Sequence, residues 1–342
     1  MQTLTNSPNN APFRSSKRED EFAPIALFVY NRPDHARQTV DALRLNDFAK
    51  SSDLFVFADG AKTPEGAAAV NSTRKYARSV EGFKSVTVVE RERNFGLSRS
   101  VITGVSQLCS DFGKAIVVED DVITAPDFLR FMNRGLQRYA DEPRVMSVCA
   151  FNPPLASPAS YPFDTFCSYR FSCWGWATWK GRWEKADWAV TDYAQFATDR
   201  AKQKKFDLGG DDLSWLLKLH MRGEIDSWDT VWAYTHFKHD ALALLPVESK
   251  AYNIGLDGSG VHCKHVSMEQ SSIGGGSSSE YRFPDSVDVN PHFVAEIRKY
   301  HRPSMARRLV RFARQIAPRK RRFGSLADAE DIPTQPTSIT VK

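Results

Sequence analysis

The sequence predicts an α/β fold, a mostly parallel sheet flanked by helices, on three observations. Four short apolar runs recur between residues 25 and 118, helical stretches separate them, and each run ends in polar residues. The first run, Ile25 to Tyr30, breaks at Asn31-Arg32-Pro33 before a helix from Asp34 to Leu45. The second, Leu54 to Ala58, ends at Asp59-Gly60 and leads to a helical stretch from Ala67 to Val80. The third, Ser85 to Val89, precedes Asn94-Phe95-Gly96-Leu97, which opens a helix through Leu108. The fourth, Ala115 to Val118, stops at Glu119-Asp120-Asp121, with another helix from Pro126-Asp127. Strands alternating with helices in this way place a ligand site at the carboxyl ends of the strands.

Three adjacent carboxylates at the end of an apolar strand repel one another unless a cation neutralises them. Their oxygens suit Mg²⁺ or Mn²⁺, which takes one or two protein carboxylates and completes its shell with water and phosphate oxygens. The bland alternative is a solvated loop or a helix cap at Asp121.

In that order, Tyr30-Asn31-Arg32-Pro33, Asp59-Gly60, Asn94-Phe95-Gly96-Leu97 and Val118-Glu119-Asp120-Asp121 resemble the donor-site motifs of GT-A glycosyltransferases. The likeness is to inverting family 2-like enzymes and the N-acetylglucosaminyltransferase I type, and it covers roughly residues 23 to 265. It implies a GT-A, Rossmann-like sheet flanked by helices, with a C-terminal acceptor-side region. It also implies that Tyr30, Asn31, Arg32 and Asn94 border the donor, Asp59 meets the base, Asp120 the ribose, and Asp121 the metal. Glu119 departs from the family's Asp-X-Asp at its first position, which leaves open how it reaches the ion.

Beyond Pro153-Pro154, the stretch Tyr169 to Trp183 holds four of the eight tryptophans, too many in one place for ordinary core. Aromatic faces stack on sugar rings, and a glycine lets a backbone approach closely. Trp174, Gly175 and Trp176 are therefore expected at the acceptor, the alternative being a structural tryptophan cluster. An inverting transfer needs a carboxylate to take the acceptor's proton. Gly209-Gly210-Asp211-Asp212 supplies two at the start of a helix running from Asp212 to about Arg222, and Asp212 is favoured over Asp211. His262, in the Gly-rich loop Gly255 to Cys263, resembles the late-loop histidine that completes the metal shell or touches the diphosphate in many GT-A enzymes.

The formal charge of +5 is not spread evenly. Eleven Lys/Arg and no acid lie between Arg298 and Arg322, and removing them from +5 leaves −6 for the rest. That gradient speaks against nucleic-acid binding. Met305, Leu309, Phe312 and Ile316 recur opposite Arg307, Arg308, Arg311 and Arg314, the pattern of a cationic helix that lies on an anionic bilayer, or packs on its own domain. Residues 301 to 322 are the expected membrane contact. No apolar run of about 18 residues occurs, the first 21 residues are polar, and the five cysteines lack zinc-site spacing. The expected location is cytoplasmic, peripheral at the inner face of the membrane.

The chain thus divides into a disordered segment 1–22, a nucleotide-sugar-binding half 23–150, an acceptor-binding and catalytic half 151–300 of the same domain, and a basic amphipathic helix with a disordered tail over 301–342. The expected activity is inverting transfer of a sugar from a nucleotide-diphospho-sugar, UDP-linked by preference, to a hydroxyl of a glycan or glycolipid in cell-surface polysaccharide assembly. Two other classes compete. A nucleotidyltransferase needs a Gly-rich basic loop after strand one, which Tyr30-Asn31-Arg32-Pro33 is not. A non-catalytic carbohydrate-binding protein explains the tryptophans but neither acidic segment.

Overall fold

The computed structural model describes residues 22–257, 280–303 and 338–341. In chain order it runs β1 (Ile25–Val29), α1 (Pro33–Arg44), β2 (Asp53–Ala58), α2 (Ala67–Arg78), β3 (Ser85–Glu90), α3 (Leu97–Phe112), β4 (Lys114–Glu119) and β5 (Val122–Thr124). Then follow α4 (Phe128–Arg138), β6 (Val145–Cys149), β7 (Thr165–Ser168), β8 (Trp176–Trp179), α5 (Lys180–Trp183), α6 (Tyr193–Thr198), α7 (Arg200–Phe206) and α8 (Leu213–Met221). The chain continues through α9 (Trp228–Lys238), β9 (Leu242–Pro246), β10 (Ala251–Asn253), α10 (Pro291–Tyr300) and β11 (Ser338–Val341).

Nine strands form one sheet in the order β11-β3-β2-β1-β4-β8-β6-β9-β7. From β3 to β4 every pairing is parallel, as the sequence predicts. Past β4 the sheet is mixed, because β8 runs antiparallel to both β4 and β6, and β7 antiparallel to β9. Strand β8 belongs to the second half of the chain yet lies between β4 and β6 of the first. The two expected halves are therefore woven into one sheet. At the other edge β11 pairs antiparallel with β3, so four residues of the expected disordered tail are a strand.

Burial on both faces explains why β1 and β4 read as unbroken apolar runs. Leu27, Val29, Val56, Ile116 and Val118 pack in one cluster with Val40 and Leu43 of α1 and Leu129 and Met132 of α4. Ala26, Phe28, Phe55, Phe57 and Val117 pack in a second with Val101 and Val105 of α3 and Val231 and Trp232 of α9. Each such Leu, Ile or Val contributes about 1.5–3 kcal/mol on leaving water. This two-sided core fixes the carboxyl ends of β1 to β4 along one edge, where the polar residues of the motifs emerge.

Candidate active site

Strand β4 extends through Glu119, and the chain turns back at Asp120-Asp121 into β5, which pairs antiparallel with β10. The three acids thus belong to a tight turn braced by a two-stranded ribbon rather than to a loop. Thr39 Oγ1 of α1 donates to the Asp120 carbonyl at 2.8 Å, and Ile254 N–H to the Asp121 carbonyl at 2.8 Å. Pro33 starts α1 and sets the chain direction after Arg32. The Arg32 Nη2 donates to Asp120 Oδ1 and, at 2.9 Å, to Asp121 Oδ2. Asn253 Nδ2 donates to the other oxygen, Asp121 Oδ1, at 3.0 Å, while its own Oδ1 accepts from Gly255 N–H at 2.7 Å. Gly255 lies so close that a Cβ there would collide with Asp121 Oδ2 and come within 2.9 Å of Arg32 Nη1. The Gly-rich loop expected to close over a ligand therefore starts against the acidic turn; His262 lies outside the described residues.

The electrostatics show negative charge in excess of its compensation. Burial pushes Asp120 up to about 6 although Arg32 and the Tyr30 N–H oppose the shift. Glu119 is driven well above the usual carboxylate range by burial first, then by Asp121, Asp120 and Asp229. Burial works against the Arg32 cation, but Asp120 and Asp121 outweigh it and raise its pKa. Nη1 of Arg32 is buried and has no hydrogen-bond partner among the described residues.

Asp59, expected at a nucleotide base, is saturated. Its two oxygens accept from Gly60 N–H (2.8 Å), Phe95 N–H (2.8 Å), Gly96 N–H (3.0 Å) and Asn94 Nδ2 (3.0 Å). Asn94 also donates to the Gly60 carbonyl at 2.9 Å. The pair joins the end of β2 to the turn before α3, so Asp59 and Asn94 shape the donor-side edge as organisers of its backbone. Tyr30 OH accepts from Lys62 N–H at 3.2 Å, and Asn31 is exposed.

The aromatic segment divides. Trp176 has 0% of its surface exposed and packs among Phe171, Trp183, Trp228 and Trp232. Its placement at an acceptor is corrected: the ring belongs to the core under β8. Gly175, with φ +72°, lies against Phe128 and Ala150, where a Cβ would come within 2.9 Å of the Phe128 ring; its smallness serves packing. Trp174 is half-buried, edge-on to Phe151 with centroids 4.4 Å apart, and packs at the rim of the core.

Asp211 and Asp212 are also corrected. Arg170 forms a fork on Asp212, with Nη1–Oδ1 at 2.6 Å and Nη2–Oδ2 at 3.2 Å. Arg298 of α10 donates twice to Asp211 Oδ1, at 2.9 and 2.8 Å. Burial raises the Asp212 pKa but the Arg170 charge more than reverses it, so the carboxylate is held below its usual range. A carboxylate so paired is a weak proton acceptor. Asp211 instead fastens α10 to the start of α8, and Asp212 fastens the segment between β7 and β8 to it.

His301 completes that joint. Burial, aided by Arg170 and opposed by Asp212, pushes it down to about 3. The unfolded chain protonates this histidine near pH 6.5, so between about 3 and 6.5 it binds more protons than the folded chain, and stability rises with pH there. His236, buried and pushed to about 4, acts with the same sign. We expect His301→Gln to flatten the fall in stability as pH drops through this window, by up to about 1.4 kcal/mol per pH unit. Urea unfolding at a series of pH values reads it, and an unchanged slope would refute the assignment.

Two residues of the site carry no distinctive signal in the sequence pattern: Asn253, which positions Asp121, and Asp229, whose charge reaches Glu119 and Cys173. The one available signal for Asp229 was the spacing Asp226-Ser227-Trp228-Asp229 after Gly223, which reads as an ordinary helix start.

With its parallel half, an antiparallel strand inserted beside β4 and helices on both faces, the fold is a Rossmann-like α/β architecture with acids at the end of β4. No protein-family model matches the chain, and no curated protein matches it in sequence. Among the solved structures that match it is the crystal structure of S. aureus TarS, with a TM-score of 0.31 and 14% identity. The likeness covers 48% of this chain and 29% of that chain, so it spans less than a third of the length of the structure it matches. A likeness so loose adds nothing to the chemistry of the site.

Proposed function

We propose that the chain is a glycosyltransferase that moves a sugar, with inversion, from a nucleotide-diphospho-sugar to a hydroxyl of a glycan or glycolipid in cell-surface polysaccharide assembly. One observation carries this reading: Arg32, bridged to two strand-end acids, keeps a buried Nη1 without a partner among the described residues. A buried guanidinium donor left open costs free energy, and a diphosphate oxygen is the acceptor that matches it. The UDP-linked donor is favoured by the motif resemblance alone.

The donor set also fits a hard divalent cation, Mn²⁺ or Mg²⁺. Its described members are carboxylate oxygens, with the guanidinium of Arg32 bridging Asp120 and Asp121 and acting on Glu119. Among the described residues no three His, Cys, Asp or Glu are grouped to hold a metal; the proposed ion would take one or two carboxylates and finish its shell on phosphate. Asp121, with Glu119, would hold it, and His262 remains a proposed further ligand. Bound there, the ion would offset charge on the leaving diphosphate. Arg32 orients the phosphates, Asp120 is proposed at the ribose, and Trp174 at the acceptor sugar.

Among the described residues no helix is long and apolar enough to cross a membrane. Contact of the basic segment 301–322 with an anionic bilayer at the cytoplasmic face remains part of the proposal; residues 304–322 lie outside the described residues.

Titration calorimetry with UDP, with and without Mn²⁺, tests the reading. Binding that needs the metal is expected. Binding without it removes the metal from the proposal, and no binding in either condition refutes the transferase.

A further inference from the structure

Asp211 and Asp212 are committed to ion pairs, and another carboxylate, Asp229, lies near enough to the acids of β4 for its charge to act on Glu119. We propose that Asp229 is the group that takes the proton from the attacking hydroxyl. This rests on the transferase reading above.

Three segments flagged in the sequence converge on the start of α9. Strand β8 runs antiparallel to β4 with Trp176 opposite Val117, so the residues preceding Trp176 pass the end of β4 and bring Cys173 and Trp174 beside Glu119. The Trp228 ring stacks on Trp176, with centroids 5.4 Å apart and planes at 30°, and is itself buried. Asp229 is the next residue. From the α3 side, Ser98 Oγ, just after Asn94-Phe95-Gly96-Leu97, donates to Asp226 Oδ1 at 2.5 Å and holds the turn before α9. Asp229 is thereby fixed over the carboxyl end of β4, where its charge acts on both Glu119 and Cys173.

Its bonding leaves it available. Ser227 Oγ donates to Asp229 Oδ1 at 2.5 Å, which sets the carboxylate's orientation, and no ion pair claims it among the described residues. Asp226, its neighbour, is held by Ser98 and exposed to solvent. Arg32 Nη1, a buried donor beside Gly255 without a partner among the described residues, independently marks where an anionic donor group belongs. The proposal assigns the diphosphate to Arg32 and the acceptor to Trp174 and Asp229, on opposite faces of the transferred sugar as an inverting displacement requires. In the step, the acceptor oxygen forms a bond to the anomeric carbon while that carbon's bond to the phosphate oxygen breaks. The nucleoside diphosphate leaves with the bonding electrons, and the hydroxyl proton passes to Asp229 and then to water.

The test uses the full chain with Mn²⁺, supplied with UDP-glucose, UDP-galactose or UDP-N-acetylglucosamine, and with water as acceptor. Asp229→Asn is expected to lower kcat about 10²- to 10⁴-fold, with KM and UDP affinity within about threefold of the unaltered chain. Asp229→Glu, which keeps the carboxylate, should recover part of the rate, a gain a structural role would not give. If Asp229→Asn does not fold, Asp229→Glu is read alone: a fall in kcat at constant KM supports the role, and an unchanged kcat overturns it. Folded Asp212→Asn is expected to keep kcat. A fully active Asp229→Asn overturns the proposal while leaving the transferase intact. If the unaltered chain consumes none of the three donors and binds no UDP, both fall.

Discussion

Exchanging Arg32 for methionine is expected to destabilise the folded chain by about 3–5 kcal/mol at pH 7 in the presence of a chelator and to abolish UDP binding. The side chains of Arg32, Asp120 and Asp121 are 20%, 5% and 11% exposed. Their mutual attraction is therefore poorly screened, and removing the cation strands two buried carboxylates. Protonation limits the penalty. Asp120 already stands at about 6, above its unfolded value near 3.9, so the folded chain holds a proton that the unfolded chain releases, and stability falls as pH rises through that window. Without Arg32 the Asp120 pKa rises further and the window extends upward. The loss should accordingly be greater at pH 8 than at pH 5. Millimolar Mn²⁺ or Mg²⁺ should restore much of the melting temperature of Arg32→Met, because a divalent cation can neutralise the same oxygens. Thermal unfolding in chelator and in Mn²⁺ reads this without any assay of transfer. An Arg32→Met chain that melts like the unaltered one, indifferent to divalent ions, would show that the turn carries no charge needing compensation.

What local pattern could show of this site, it showed. The apolar runs 25–30, 54–58, 85–89 and 115–118 match β1 to β4 to within about a residue at most ends, because burial on both faces leaves a continuous signature. Strand ends follow from that, and with them the acidic triplet. Partnerships did not follow, since they join residues far apart in the chain. Arg32 meets Asp120 across 88 positions, Asn253 meets Asp121 across 132, and Ser98 meets Asp226 across 128. Adjacent acids at a helix start look alike whether free or ion-paired, so the pairing of Asp212 with Arg170 was not legible in the sequence. The mixed pairing beyond β4 was hidden for a related reason. An antiparallel strand inserted between two elements of the other half carries the same apolar residues as a parallel one.

The tryptophans of the aromatic segment give the sharpest contrast between fold and function. Trp176→Ala is expected to cost about 3–5 kcal/mol, lowering the melting temperature by roughly 10 °C. The ring is fully buried, with neighbours on every side from β8, α5 and α9, and a cavity there cannot collapse without moving Trp228, on which Asp229 depends. Its indole N–H has no partner among the described residues, so Trp176→Phe loses volume but no hydrogen bond and should be much milder. Trp174→Ala should act differently. Half-buried, edge-on to Phe151 and packed on the rim of the core, it gives up less buried surface than Trp176, and its loss should raise KM for a sugar acceptor while leaving UDP affinity nearly unchanged and lowering the melting temperature less than Trp176→Ala does. Melting curves and acceptor kinetics on the three variants separate the two positions. Were Trp174→Ala the destabilised chain and Trp176→Ala the one defective only in acceptor KM, the division of this segment into a core ring and a binding ring would be wrong.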